Sequence, residues 1–189
     1  MSKFSLNINS AVNALRSLEE LSGVIELSSQ KIANCISNGG KLMLCGNGGS
    51  ASDSQHIAAE FTGRFVNDRR PLPAIALTTD TSAITAISND YSYAEIFSRQ
   101  INALGKAEDM LIAISTSGNS SSIINAVQAA KELGIFTVGL SGRDGGQLAH
   151  VSDVNIIVPN DITARIQECH IFILHSLCER VEQLLGFHS

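Results

Sequence analysis

Two residues one helical turn apart, His56 and Glu60, are the first pair in the chain whose types and spacing suit chemistry. At i and i+4 they face one way from a helix. An imidazole beside a carboxylate serves as a metal pair or as a general acid–base pair. The competing reading is a solvated surface pair that contributes about 0.2–0.5 kcal/mol. A second set stands near the C-terminus on one helical stretch: Arg165, Gln167, Glu168, His170 and His175. Gln167 and His175 are two turns apart, about 12 Å along a helix axis, so they share a site only by reaching toward it from either end. His170 lies about 140° around the helix from His175, so the two do different jobs. Spacing alone does not select His175, because a lone histidine on an apolar helix face is more often a hydrogen-bonded core residue.

The segment leading into His56 is Cys45-Gly46-Asn47-Gly48-Gly49-Ser50. An apolar run enters a glycine-rich turn, and an amphipathic helix leaves it. Converging backbone N–H groups and a helix N-terminus make that order an anion site.

The elements that position these residues are readable in order. Apolar spacing from Ile8 to Ile36 predicts one long helix over residues 8–38, stopped by Gly39-Gly40. Two readings of its apolar face stand equal: a helix that covers its own sheet, or one that packs in part on another subunit. A helix is expected over residues 50–66, with Ser50-x-x-Asp53 as a capping-box variant. Strands are expected at 42–45, 74–79, 110–115, 136–140 and 154–158. A helical region carrying Ile84, Ile87, Ile96 and Ile101 is expected to break at Ser88-Asn89-Asp90, and a last helix spans 161–185. Five short apolar strands alternating with helices predict an α/β fold: a doubly wound, five-stranded parallel sheet with helices on both faces. No linker divides the chain, so 1–189 reads as one domain.

In such a sheet every strand-to-helix loop lies at one edge, where ligands bind. Those loops are residues 46–50, 78–82 and 115–122, with 141–146 beyond, and they are crowded with Ser, Thr, Asn and Gly. The first three contain no Lys or Arg, so a phosphate there is held by neutral donors and helix N-termini. Ordinary turn and capping chemistry favours the same residues, but three such loops on one edge favour a site. Gly46-x-Gly48-x-x-Ala51, with Asp80 for a ribose hydroxyl, fits a loose dinucleotide fingerprint. That reading leaves the serine-rich third loop unexplained.

At 189 residues with 44% hydrophobic and 16% charged side chains, the chain can bury a real core. A net charge of −5 argues against a nucleic-acid partner. No apolar run reaches membrane-spanning length, and no targeting segment is evident. Cys35, Cys45, Cys169 and Cys178 show no C-x-x-C spacing and read as buried free thiols of a reducing cytosol.

The blocks together resemble one family. Cys45–Ser50 with Gln55-His56-Ile57-Ala58-Ala59-Glu60, Leu77–Ser82, Ser88–Tyr91, Ile114–Ser120, Asp144-Gly145-Gly146 and Thr163–His170 with His175 beyond look like the bacterial phosphoheptose isomerases. The resemblance covers nearly the whole chain. It implies the sugar-isomerase (SIS) fold and the interconversion of sedoheptulose 7-phosphate and D-glycero-D-manno-heptose 7-phosphate. It also implies the first step toward the ADP-heptose of lipopolysaccharide core, a cytoplasmic homotetramer, and zinc, one ion per subunit. Carried over by residue, substrate falls on Asn47, Gly48, Gly49, Ser50, Glu60, Asn89, Asp90, Ser115, Thr116, Ser117, Ser120 and Gln167. The Ser115–Ser120 loop takes the phosphate. The implied metal ligands are His56, Glu60, Gln167 and His175, and Glu60 and His175 are the implied acid–base pair, acting through an enediol. Two alternatives stand on the same fold: a non-catalytic protein that binds the replication initiator, and an isomerase of another phosphosugar. Gly48, Gly49, Ser117, Glu60 and His175 together favour the enzyme over the first.

Overall fold

The structure is a computed structural model and describes residues 1–187. Five parallel strands form one sheet in the order β2-β1-β3-β4-β5, with β1 at Leu42–Gly46, β2 at Ala74–Ala76, β3 at Met110–Ser115, β4 at Phe136–Gly142 and β5 at Val154–Val158. Strand order reverses between β1 and β3, which are paired from Leu42↔Met110 to Gly46↔Ile114. The loops that follow these two strands therefore flank the crevice where such sheets bind ligands.

Alternation along the strands divides the core into two layers. Leu42, Leu44, Ile112, Ile114 and Leu140 face helices α2 (Ser22–Ser37), α3 (Gly49–Thr62) and α8 (Thr163–Leu184). Met43, Cys45, Leu111 and Ala113 face α5 (Ser98–Leu104) and α6 (Ser121–Glu132), with α4 at Thr81–Asp90 beside them. Helix α7 (Leu148–Val151), a single turn not expected from the sequence, sits between β4 and β5.

The N-terminal segment is helical from Lys3 to Ser37. It divides into α1 (Lys3–Arg16) and α2 around a tighter 3-10 stretch, Ser17–Leu21, where the Ser17 hydroxyl donates back to the Ala14 carbonyl at 2.7 Å. Of α1 only Ala14 is buried, while Phe4, Leu6, Ile8 and Val12 stay exposed.

Three local expectations are corrected. The Ser50-x-x-Asp53 box does not form: Gly48 is the N-cap of α3, with φ 57°, and makes no side-chain cap. Helix α4 runs through Ser88-Asn89-Asp90 and stops at Tyr91. Asp80 caps its start by accepting from the Ala83 amide at 2.9 Å, and a polar last turn facing solvent costs a helix little. Helix α3 ends at Thr62 rather than near 66, because other groups take up its last carbonyls.

All four cysteines are free, and burial pushes the Cys45 and Cys178 thiols up and the Cys35 thiol to about 11. No helix of the described residues is long and apolar enough to cross a membrane.

Candidate active site

Helices α3 and α8 bring the two expected halves together. The His56 Nε2 lies 3.0 Å from Glu60 Oε1, and 3.3 Å from the Nε2 of His175 across the helix pair. The ligand atoms of all three lie within 4.8 Å of one another, the one such His, Cys or carboxylate group among the described residues. Two imidazole nitrogens at hydrogen-bond distance share one proton between them or converge on a cation. Tetrahedral zinc, with bonds of about 2.0–2.1 Å, separates its ligand atoms by about 3.3–3.4 Å. The donor types suit that geometry; the 3.3 Å between the two imidazole nitrogens matches it, and the 3.0 Å from His56 to Glu60 is a hydrogen-bond distance slightly shorter than it.

Neighbouring groups frame the triad. The Phe65 ring stacks on His175 at 5.4 Å between centroids, and the His56 ring meets His175 edge-on at 5.0 Å. Partial burial pushes the Asp53 carboxyl up, against the opposing pull of His56 and His175. Gln167 makes no hydrogen bond to the three. Its amide lies instead over the start of α3, where a Cβ on Gly49 would come 2.6 Å from Gln167 Nε2. A side chain at position 49 would push the Gln167 amide aside.

The glycine turn is tied to its neighbours through Asn47. Its amide donates to the Ser122 hydroxyl at 2.9 Å, and its carbonyl oxygen accepts from the Tyr93 hydroxyl at 2.8 Å. Ser50 is buried in the first turn of α3. Asn89 and Asp90 stand exposed at the end of α4 and bond to each other at 2.8 Å. They are near Tyr93 in the chain, and no hydrogen bond links them to the triad.

The Ser115–Ser120 turn forms a separate, uncharged cradle. The Ser115 hydroxyl donates to the Ser120 hydroxyl at 3.1 Å, and the Ser117 hydroxyl accepts from the Asn119 amide at 3.2 Å. Ser120 is the extended N-cap of α6 and makes no side-chain cap, which leaves first-turn N–H groups for an anion. Thr116 and Ser117 are partly exposed beside it. The turn is held from behind. Gly118, at φ 65°, packs so closely on Gly145 that a Cβ would lie 1.9 Å from the Gly145 oxygen. The Asn119 carbonyl oxygen accepts from the Gln147 amide at 3.0 Å.

His170 does the different job expected of it. It is fully buried and bonds through Nε2 to the Ser141 carbonyl at 3.0 Å, at the end of β4, and burial lowers it to about 4. Arg165 reaches away from the cradle to the Asn7 carbonyl at 2.8 Å, so it tethers α1. Sequence reasoning missed the buried pair of Arg69 and Glu182, joined at 2.6 Å just behind the triad. Arg69 lies in what reads as a polar turn, and no spacing connects it to a residue on the last helix.

Comparison with known proteins gives a consistent result. The SIS domain family model matches residues 8–142. Phosphoheptose isomerase of Campylobacter concisus is 52% identical over 163 residues, 86% of each chain. That of Helicobacter pylori strain P12 is 53% identical over 168 residues, 89% of this chain and 88% of the other. Among solved structures, phosphoheptose isomerase of Neisseria gonorrhoeae superposes with a TM-score of 0.91 at 44% identity, covering 96% of this chain and 97% of that one. The Francisella tularensis enzyme gives 0.93 at 37% identity, covering 97% and 100%.

Proposed function

The chain belongs to the phosphoheptose isomerases of the SIS domain family, and we propose that it interconverts sedoheptulose 7-phosphate and D-glycero-D-manno-heptose 7-phosphate at the α3–α8 triad. The observation that carries this reading is the convergence of His56, Glu60 and His175 from two helices, in a chain whose β3–α6 turn also forms an uncharged anion cradle. The cradle suits the phosphate, held by Ser115, Thr116, Ser117 and Ser120 with the α6 N-terminus. Asn47, Gly48, Gly49 and Ser50 then take the sugar end, with Asn89, Asp90 and Gln167 at its margins.

An aldose–ketose isomerisation moves a proton between C1 and C2 through an enediol, so the enzyme needs a base for carbon and an acid for oxygen. Glu60 takes the proton from C1 of the ketose and returns it to C2. His175 passes a proton between the two oxygens. Of the Glu60 carboxylate oxygens, Oε1 faces His56, and Oε2 makes no hydrogen bond to the described residues and is open to substrate. Phe65 stacked on His175 limits the ring to one plane. His56, Glu60 and His175 would hold zinc, which when bound polarises the substrate oxygens; Gln167, the fourth ligand that the resemblance implies, lies against Gly49 instead of joining them.

The finer setting follows from the same reading. The chain acts as one domain in the cytoplasm, and its product enters the ADP-heptose route to lipopolysaccharide core. The exposed apolar side chains of α1, and a groove of about 580 Å³ between the N-terminal helices and α8 lined by Val12, Leu15, Ile25 and Phe172, support residues 1–38 as the assembly element of a homotetramer.

The test is direct. Purified protein is incubated with sedoheptulose 7-phosphate in heavy water, with and without chelator, beside His175→Gln. The aldose is expected from the parent with deuterium at C2, and little from the variant. No aldose in either condition sinks the assignment, and full retention of the original hydrogen removes Glu60 as the carbon base.

A further inference from the structure

Behind the triad lies an ion pair that the chemistry above does not use. The side chains of Arg69 and Glu182 are 2% and 4% exposed, and Arg69 Nε donates to Glu182 Oε1 at 2.6 Å. A buried pair of this kind gains little net stability over an apolar replacement, because both charges lose their water. Its remaining contacts concern position.

Arg69 grips the end of α3. Nη2 donates to the Glu60 carbonyl at 2.8 Å, and Nη1 donates to the carbonyls of Phe61 at 2.9 Å and Gly63 at 3.3 Å. The Glu60 and Phe61 carbonyls are among the last of the helix, which have no partner inside it and carry its negative dipole end, and Gly63 is its C-cap. The planar guanidinium thus closes the turn from which the Glu60 side chain projects.

Glu182 holds the other side. It lies two helical turns beyond His175, on the same face of α8. Its Oε1 accepts from the Phe65 amide at 3.2 Å and its Oε2 from the Val66 amide at 3.5 Å. Phe65 is the residue whose ring stacks on His175. One continuous chain of contacts therefore runs from the Glu60 backbone through Arg69 and Glu182 to the Phe65 backbone, and from the Phe65 ring to the His175 imidazole.

We propose that Arg69 and Glu182 are positioning residues that set the separation and ring orientation of Glu60 and His175. The inference rests on the assignment of those two residues to proton transfer. Misplacing a reacting group by about 1 Å can cost about a hundredfold in rate. The pair touches neither substrate nor reacting atoms, so its loss lowers kcat and leaves KM in place.

The test uses Arg69→Lys and Glu182→Gln in the full chain. Lysine keeps a charge opposite Glu182, but one ammonium cannot also reach the Glu60 and Phe61 carbonyls. Glutamine keeps an acceptor for the Phe65 amide, so it reads the same clasp should the first variant fail to fold. Rates are expressed per folded molecule, well below each melting temperature. For Arg69→Lys we expect kcat to fall between about tenfold and a hundredfold with KM within about twofold, and for Glu182→Gln a smaller fall in the same direction. The ring-proton resonances of His175, shifted by the Phe65 face, move toward their unstacked values in both. A lowered melting temperature with kcat within about twofold of the parent overturns the proposal, because the pair is then only structural. A raised KM at unchanged kcat overturns it as well. An inactive parent would defeat the isomerase reading instead. The His175 resonances then still decide the clasp, and resonances that stay put in both variants reject it.

Discussion

The triad of helices α3 and α8 and the turn after β3 are built from different materials. The first gathers titratable side chains, and their spacing is held by other side chains: Phe65 on His175, and Arg69 on the carbonyl of Glu60. The second contains no charged residue. Its shape is a backbone path, fixed by Gly118 seated on Gly145 and by Asn119 bonded to the Gln147 amide. Charge gathered by side chains suits a step in which protons move. Neutral N–H and O–H groups suit a phosphate that only has to stay in place. The two regions should therefore fail differently, one in turnover and the other in folding or substrate affinity.

The largest effect tests the charged region. Glu60→Gln keeps the shape but removes the proposed base, and kcat is expected to fall about a thousandfold, within the range a positioned acid or base contributes. KM and melting temperature should change little, because the carboxylate is partly exposed and makes only its bond to His56. A loss below tenfold in steady-state assays would place the base elsewhere. Gly118→Ala is the matching probe of the cradle. The new Cβ meets the Gly145 backbone at 1.9 Å, and φ is 65°, so both turns must shift. A loss of about 3–5 kcal/mol in denaturant unfolding is expected, at the upper end for single substitutions. Parent-like stability would mean that the cradle is not the rigid half.

The same division explains what the sequence discloses. The cradle and the glycine turn are legible because Ser, Asn and Gly cluster after apolar runs, and parallel topology sends all such turns to one edge. His56 and Glu60 are legible because helical spacing is local. His175 is not selected by spacing, since its pairing with His56 spans 119 positions. Arg69 and Glu182 are illegible for the same reason, as their bond spans 113. Local rules also overreached. Ser50-x-x-Asp53 looks like a capping box, but Gly48 already supplies the turn, so Ser50 is carried into the helix and buried. Ser88-Asn89-Asp90 looks like a break, but α4 is capped by Asp80 and tolerates a polar last turn.

The two histidines of α8 sharpen the comparison at intermediate size. His175 serves the triad, while His170 fastens the helix to the Ser141 carbonyl beside the cradle loops. Burial lowers His170 to about 4 from an ordinary value of 6.5, only partly opposed by its bond to Ser141. Between those values the unfolded chain carries a proton that the folded chain refuses, so stability rises with pH there. The contribution is complete above about pH 6.5 and is lost as pH falls toward about 4, amounting to about 3 kcal/mol. Denaturant midpoints at pH 8, 6.5 and 5 should show it, and His170→Gln, which retains a donor for Ser141, should flatten the trend. An unchanged slope in that variant would assign the acid sensitivity to other groups.

The smallest effect isolates the cradle from the chemistry. The Ser120 hydroxyl accepts from Ser115 and leaves its own helix uncapped. Ser120→Ala removes one neutral donor from the proposed phosphate cradle and one partner from Ser115, each a hydrogen bond of about 1 kcal/mol. The phosphate stands remote from C1 and C2, so ground state and transition state lose that bond alike. KM should therefore rise about fivefold while kcat stays within about twofold of the parent. The opposite split, kcat falling at constant KM, would mean that the serine turn takes part in the proton transfer. The two regions would then act as one electrostatic unit rather than a charged part and a neutral part. Glu60→Gln beside Ser120→Ala supplies the control, because their effects on kcat/KM should multiply if the two regions act independently.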